Sequence, residues 1–331
     1  MKAAYVERLG DAASIRYGEL PDPVPGPGQV LVRVDAVAVD TVDTLVRSGL
    51  WPTEVRFPLV LGRDLVGTVA SVGPGVEDIR VGDPVWTNSA GYGGRAGATA
   101  ELVPVDRDRL YPLPAGADPV GFVAAVHPAA TAHGVLFGRA GLRAGETVAV
   151  IGANGAVGLC LVQAAVGLGA SVVAVVRSDR PARRLRELGT GRVVVADLEH
   201  ALDAAMESTS DGVDVLVDTT GRVDLSPVPE RLNVRGRLVL MAGRDRTLHL
   251  AAWRLYTREV AVLGFVMSRM DVAELAAAAG WIAGRYPAHP LAVGVAPVRS
   301  FSDARWAHET LERGQLPHTP DGLTGRIVLT P

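Results

Sequence analysis

The segment ETVAVIGANGAVGLCLVQAAVGLGASVVAVVR, residues 146–177, constrains the fold more than any other part of the chain. An apolar run ending at Gly152 reads as a buried strand. A glycine turn follows, a helix begins near Ala156, and a second apolar run starts at Val172. Strand, turn, helix and strand in that order form one βαβ unit, whose two strands must lie parallel in one sheet. Gly152 permits a tight turn, Gly155 lets the backbone approach an anion, and Gly158 allows close packing of helix on strand. The helix N-terminus at Ala156 and Val157 offers N–H groups and a positive dipole end, suited to a dinucleotide pyrophosphate. The loop has one residue more between its first glycines than the commonest spacing, and Asn154 tolerates the left-handed conformation such a loop can require.

The rest of the chain arranges itself around this unit. After residues 114–120, apolar strands alternate with helix-like stretches: VDVLVDTTG, GRLVLMAG and VAVLGF follow the glycine unit. That alternation predicts a parallel sheet covered on both faces. Before it, AAYVE, VLVRVDAVAV, LVGTVASV, DPVW and AELVPV are short β-rich runs separated by Pro/Gly clusters, and they predict an irregular β-domain. LVLGRDLVGTVASVG, residues 59–73, reads as one buried strand with a charged pair, Arg63-Asp64, inside it. Buried charges are costly unless paired, so Asp64 should meet Arg63 or another cation. The tail returns to mixed patterning, with helices around 271–285 and 303–313 and a last strand GRIVLT.

Bulk properties exclude several classes. The 331 residues carry a net charge of −3, which leaves no electrostatic footprint for nucleic acid or an anionic membrane. A single cysteine, Cys160, excludes an intramolecular disulfide and a thiolate cluster. The opening MKAAYVERLG contains no targeting segment, so a cytoplasmic protein is expected.

The end of the second strand of the βαβ unit bears on the cofactor. An acid there holds the ribose hydroxyls of NAD. This strand instead ends Val176-Arg177-Ser178, with Arg180, Arg183 and Arg184 close behind. The arginine excess favours the 2′-phosphate of NADPH, although Arg184 and Arg186 read equally as a solvated helix face.

PGPGQVLVRV, GRDLVGTVASVG, VGDPVW, the glycine loop, DTTG after a strand and the terminal GRIVLTP together resemble the medium-chain dehydrogenase/reductase superfamily, over essentially the whole chain. Within it the chain looks like the zinc-independent quinone oxidoreductase and enoyl reductase branch. The resemblance implies an α/β protein: a GroES-like β-rich catalytic domain (residues 1–118 and 267–331) and a Rossmann NADP-binding domain with a doubly wound parallel sheet (119–266). Zinc relatives carry Cys, His-Glu and a second Cys where this chain has Asp40, Arg63-Asp64 and His127. Asp40 and His127 are able to ligate a metal, but Arg63 offers no lone pair, so no metal is expected.

Without a Lewis acid, hydride addition to a polarised alkene or quinone is easier than oxidation of an unactivated alcohol. The implied function is therefore NADPH-dependent reduction of an activated C=C bond or a quinone. In DTVDTLVRSG, Asp43, Arg47 and Gly49 match the quinone-reductase pattern, while Asp40 replaces Asn and Leu45 replaces Tyr. The altered pocket and the GC-rich type of composition (Lys2 is the sole lysine) point to tailoring of a polyketide-like metabolite, with reductive cyclisation as a variant. A non-catalytic NADPH-binding or sensing protein and a metal-dependent alcohol dehydrogenase are the alternatives.

Asp40 and His127 are the candidate proton-transfer groups. Asp40 also reads as a helix N-cap, and His127 as a core histidine bonded to backbone. Thr131 matches a family threonine that contacts the cofactor. Also implied along the cofactor are Thr219, Thr220, Ala242, Gly243, Phe265, Val266 and Arg326. Trp51, Arg63 and Tyr92 are candidates for the substrate pocket. Trp51, Tyr92, Trp253 and Tyr256 read either as walls for an aromatic or polyene substrate or as core or dimer-face residues, the last two chiefly as the latter. The strand at 259–265 is the edge that pairs subunits in relatives, which implies a homodimer.

Overall fold

The computed structural model describes residues 1–243 and 247–331. They form two compact units: Met1–His127 with Asp271–Thr319 and Gly325–Pro331, and Pro128–Met270 with Pro320–Thr324. The first changeover falls inside the helix Pro119–His133 rather than ahead of it. The front of that helix is anchored in the first unit by Phe122, whose ring meets the buried Trp86 edge-on at 5.3 Å.

The first unit is built on the strand Gln29–Val39, which pairs antiparallel with Asp64–Val72, Leu102–Asp106 and Gly325–Thr330. Val30, Val32, Val34, Val37 and Val39 enter one apolar core with Leu65, Val69, Ile327 and Leu329. The expected single strand over residues 59–73 is divided. Leu59–Val60 pairs with Lys2–Val6 in a three-stranded sheet, and Asp64–Val72 joins the large sheet. The chain turns between them at Gly62, whose φ of +92° and whose contact with Thr99 (a Cβ would lie 2.7 Å from its Oγ1) both require glycine. This turn hands Arg63 and Asp64 inward, where they are 3% and 0% exposed.

The second unit holds a six-stranded sheet, every pair parallel, whose central strand is Thr147–Ile151. Ser171–Val176 and Arg192–Val195 lie on one side of it; Val215–Asp218, Arg237–Leu240 and Ala261–Gly264 lie on the other. The chain reverses direction across the sheet at Thr147–Ile151, the crevice where doubly wound folds bind ligands. Ala261–Gly264 is an edge strand. Among the described residues one helical run, Pro119–Arg139, is long and apolar enough to cross a membrane, and 72% of its apolar window is buried inside the protein.

Candidate functional site

The glycine loop follows directly from its strand. All five residues of Thr147–Ile151 are buried, and the chain leaves them through Gly152 at φ +79°. A Cβ there would lie 2.5 Å from Thr219 Oγ1, so both backbone and space demand glycine. Gly155 caps the helix Ala156–Leu168, whose first N–H groups at Ala156 and Val157 have no intrahelical acceptor. Asn154 departs from the expectation: the left-handed turn is taken by Gly152, and the Asn154 carbonyl accepts the Thr324 N–H at 3.2 Å.

Other expected cofactor residues converge on this loop. Thr219 Oγ1 donates to the Ile151 carbonyl at 2.9 Å, and Thr220 Oγ1 donates to Asp218 Oδ1 at 2.7 Å. Asp218 Oδ2 accepts the Gly221 N–H at 3.1 Å, and a Cβ on Gly221 would touch Gly243 N at 2.3 Å, which places Ala242 and Gly243 beside it. Arg177 and Ser178 are exposed just past Ser171–Val176, and Arg183 is exposed on the next helix. Among the described residues neither Arg177 nor Arg183 has an ion-pair partner. Arg184, by contrast, faces Glu187 and Asp321 at 3.2 and 3.8 Å. Phe265 is 8% exposed, with its ring against Gly134, so its side chain is packed rather than open. Val266 is half-buried beside it, and Thr131 is buried in the helix Pro119–His133.

The titratable cluster is a product of strand register. Ile327 stands opposite Val39 and Asp64 opposite Ala38, so Arg326 and Asp64 flank the end of the strand Gln29–Val39, where Asp40 follows. Asp40 is the N-cap of the helix Thr41–Ser48, and Asp43 Oδ2 accepts the Asp40 N–H at 2.8 Å. The Ala124 carbonyl on the helix above accepts from Arg326 Nε at 3.2 Å, which brings the turn carrying His127 over the same point. His127 Nδ1 lies 3.3 Å from Asp64 Oδ1 and 3.7 Å from Asp40 Oδ2. Arg326 Nη2 lies 2.7 Å from Asp40 Oδ1 and 3.8 Å from Asp64 Oδ2. Arg326, expected along the cofactor, has its guanidinium against these two carboxyl groups.

These contacts divide the carboxyl groups by charge. Burial works to raise Asp40, but Arg326 and then His127 outweigh it and hold the group down at about 2. Burial and the Asp40 charge push Asp64 well above the carboxylate range, and Asp64 hydrogen-bonds to Asp40. Burial and Asp40 likewise push Asp43 up to about 8. Burial lowers His127, against the pull of Asp40. At neutral pH the cluster therefore holds an Asp40–Arg326 ion pair, a neutral Asp64 and a neutral imidazole. Like charges this close cannot all ionise.

The pocket candidates also meet. The Arg63 guanidinium lies over the Tyr92 ring at 5.0 Å, and Tyr92 and Trp51 pack on the small apolar cluster of Val6, Val46, Leu59 and Leu61. Trp253 and Tyr256 are 60% and 66% exposed and stack edge to face at 5.4 Å, so they are surface residues and not core. Sequence reasoning matched Asp43 and Arg47 to a pattern without assigning them a place. Arg47 is fully buried and paired with Glu312. The spacing of Asp40 and Asp43, which lets each cap the other's backbone, was the available signal for Asp43.

Comparison with known proteins agrees with this geometry. Residues 26–115 match the alcohol dehydrogenase GroES-like domain and residues 156–283 the zinc-binding dehydrogenase domain. The chain is 31% identical to the quinone oxidoreductase of Rattus norvegicus over 243 residues, 73% of this chain and 72% of that one. It is 32% identical over 238 residues to the phthioceranic/hydroxyphthioceranic acid synthase of Mycobacterium tuberculosis, 71% of this chain and 11% of the synthase. A mycobacterial protein solved in complex with NADPH superposes over the whole of both chains, with TM-score 0.81 and 27% identity. The chain belongs to the medium-chain dehydrogenase/reductase superfamily, in its quinone oxidoreductase-like branch. It is an oxidoreductase of the nicotinamide-dependent kind.

The zinc implied by the second domain's description is tested by the donors present. Asp40, Asp64 and His127 offer ligand atoms within 4.8 Å of one another, which is a ligand spacing. The Arg326 guanidinium already pairs with Asp40 at 2.7 Å and lies 3.8 Å from Asp64. A divalent ion among these three groups would face this buried guanidinium, a fixed positive charge that opposes a second cation at the same point. The residues do not fit it.

Proposed function

We propose that the protein is an NADPH-dependent, zinc-independent reductase of an activated carbon–carbon double bond or a quinone. The observation that carries this reading is the Asp40–Asp64–His127 cluster neutralised by Arg326, at the positions where zinc relatives hold their metal. A site with an internal cation and a protonated carboxyl handles protons and does not polarise an alcohol as a Lewis acid would.

Bound NADPH supplies the hydride. The glycine loop and the helix N-terminus at Ala156 and Val157 hold its pyrophosphate, and Arg177, Ser178 and Arg183 take the 2′-phosphate. Asp64 fixes the orientation of the His127 imidazole through Nδ1. His127, the more exposed of the two at 12% against 0%, delivers its Nε2 proton to the substrate carbon or oxygen where charge develops while Nδ1 takes up the Asp64 proton, so the imidazole ends neutral and Asp64 ends ionised. The buried Asp40–Asp64 couple stands behind it as the proton reservoir. Arg63, Tyr92 and Trp51 wall an apolar substrate.

The likeness to a segment of an acid synthase supports a biosynthetic setting, and we assign the chain to tailoring of a polyketide-like metabolite, with reductive cyclisation as the variant step. The edge strand Ala261–Gly264 supports a homodimer. A screen of NADPH oxidation across enones, quinones and polyketide-like compounds, run beside NADH, tests the reading. Turnover with NADPH on at least one enone or quinone is expected. Stoichiometric NADPH binding with no oxidation across the panel, or a preference for NADH, would overturn it.

A further inference from the structure

A second cationic feature lies in the first unit, in the loop after the strand Pro84–Thr87. A cavity of about 390 Å³ is lined by Arg56, Arg95, Arg109, Thr87, Ser89 and Asp106, among others. Three arginines there face one carboxylate, and Asp106 already accepts from Gln29 Nε2 at 3.0 Å. Arg56 lies at the exposed rim, paired with Glu54 at 3.2 Å. Among the described residues neither Arg95 nor Arg109 has an ion-pair partner. Arg95 Nε donates to the Ser89 carbonyl at 2.9 Å, which fixes its guanidinium at the cavity wall. Ser89 is 5% exposed, and its buried hydroxyl has no hydrogen-bond partner among the described residues.

Proteins do not usually set two half-buried guanidinium groups together without an anion. Burial, then Arg109, then Arg63 push Arg95 down to about 10, against the weaker pull of Asp106 and Tyr92. The pocket is short of negative charge, and it holds an idle hydroxyl to donate.

We propose that Arg95, Arg109 and Ser89 form a binding pocket for a small phosphate-bearing anion, distinct from the glycine loop. A phosphate group carries ≈ −1.5 to −2 charge near neutral pH, which complements two guanidinium groups that share only the Asp106 carboxylate in the cavity wall, and its oxygens take forked donation from arginine and a single bond from a hydroxyl. The anion has two sources: a free ligand, or the phosphate arm of a substrate. Tyr92 connects the pocket to Arg63, since the Arg63 and Arg95 guanidinium groups approach its ring at 5.0 and 5.9 Å.

The test is calorimetric titration of the full chain with inorganic pyrophosphate, in saturating NADP⁺ so that the glycine loop is filled. One saturable site is expected, weakened about tenfold or more in Arg95→Gln/Arg109→Gln and unchanged in Arg305→Gln, a surface arginine paired with Glu309. Arg109→Gln alone, at a half-exposed position, and Ser89→Ala give weaker versions of the same loss if the double variant folds poorly. The absence of saturable binding, or equal affinity in the double variant and wild type, overturns the proposal. Because binding is read without turnover, its failure is distinct from failure of the reductase reading. Pyrophosphate that competes with a phosphorylated enone but not with a neutral one identifies the substrate arm, and pyrophosphate that competes with neither identifies a free ligand.

Discussion

Replacing Arg326 by Met removes the cation of the buried cluster while keeping an apolar side chain of similar length. Holding Asp40 at about 2 against an ordinary 3.8 corresponds to stability on the order of 2 kcal/mol near neutral pH. Loss of one partner from a buried pair costs about 3–5 kcal/mol in general, because the remaining charge stays buried. The Ala124 carbonyl also loses its donor, which adds to the cost. A loss of about 3–5 kcal/mol at pH 7 is therefore expected in urea unfolding followed by tryptophan fluorescence, with Trp86 buried in the same unit as the reporter. The pH dependence carries the second half of the test. In the wild type, Asp40's contribution is present above its ordinary value and lost as pH falls through about 2. Without Arg326, Asp40 is a buried carboxyl beside Asp64, so its value rises and the variant recovers stability as pH falls from 7 to 5. Asp40→Asn/Arg326→Met, which removes both charges, should cost less than Arg326→Met alone. A loss below about 1 kcal/mol, well under the range for a broken buried pair, together with strictly additive single variants would refute the ion-pair reasoning.

Asp43→Asn tests the raised neighbour. A carboxyl held up at about 8 keeps its proton in the folded state while the unfolded chain releases it, so stability falls as pH rises through 8. That amounts to roughly 1 kcal/mol between pH 7 and 9, and the Asn variant should flatten this limb in denaturation curves at the two pH values. His127→Gln should lower kcat by about 100-fold or more, as loss of a general acid does, with NADPH affinity by fluorescence titration unchanged; equal loss of binding would place His127 elsewhere in the scheme. Arg177→Ala/Arg183→Ala should raise KM for NADPH about tenfold or more, since each charge-assisted bond is worth about 1.5–3 kcal/mol, while KM for NADH stays level.

Much of the second unit was legible because its cause is local. The glycine spacing around Gly152 sets the strand, turn and helix within one stretch, and the apolar runs that follow are the parallel strands. The terminal GRIVLT is the strand Gly325–Thr330 for the same reason. The break at Gly62 was hidden because Leu59–Val60 and Asp64–Val72 are one apolar run by pattern and divide only by which sheet each joins. The site was legible in part: Asp40 and His127 stood out as replacements at ligand positions. That Arg326 supplies their counter-charge follows from the register of two sheet partners far apart in sequence, and no local pattern encodes that register. Asn154 shows the limit of propensity, since Gly152 alone supplies the turn that both residues are able to make.

The central claim is that hydride delivery here needs NADPH and the chain's own proton-handling groups, with Arg326 and no zinc at the cluster. The direct measurement is NADPH-dependent reduction of a responsive enone by protein stripped with a strong chelator, with bound metal quantified in the same sample. Undiminished turnover without stoichiometric zinc is the predicted result. Activity lost on stripping and restored by added zinc would contradict it.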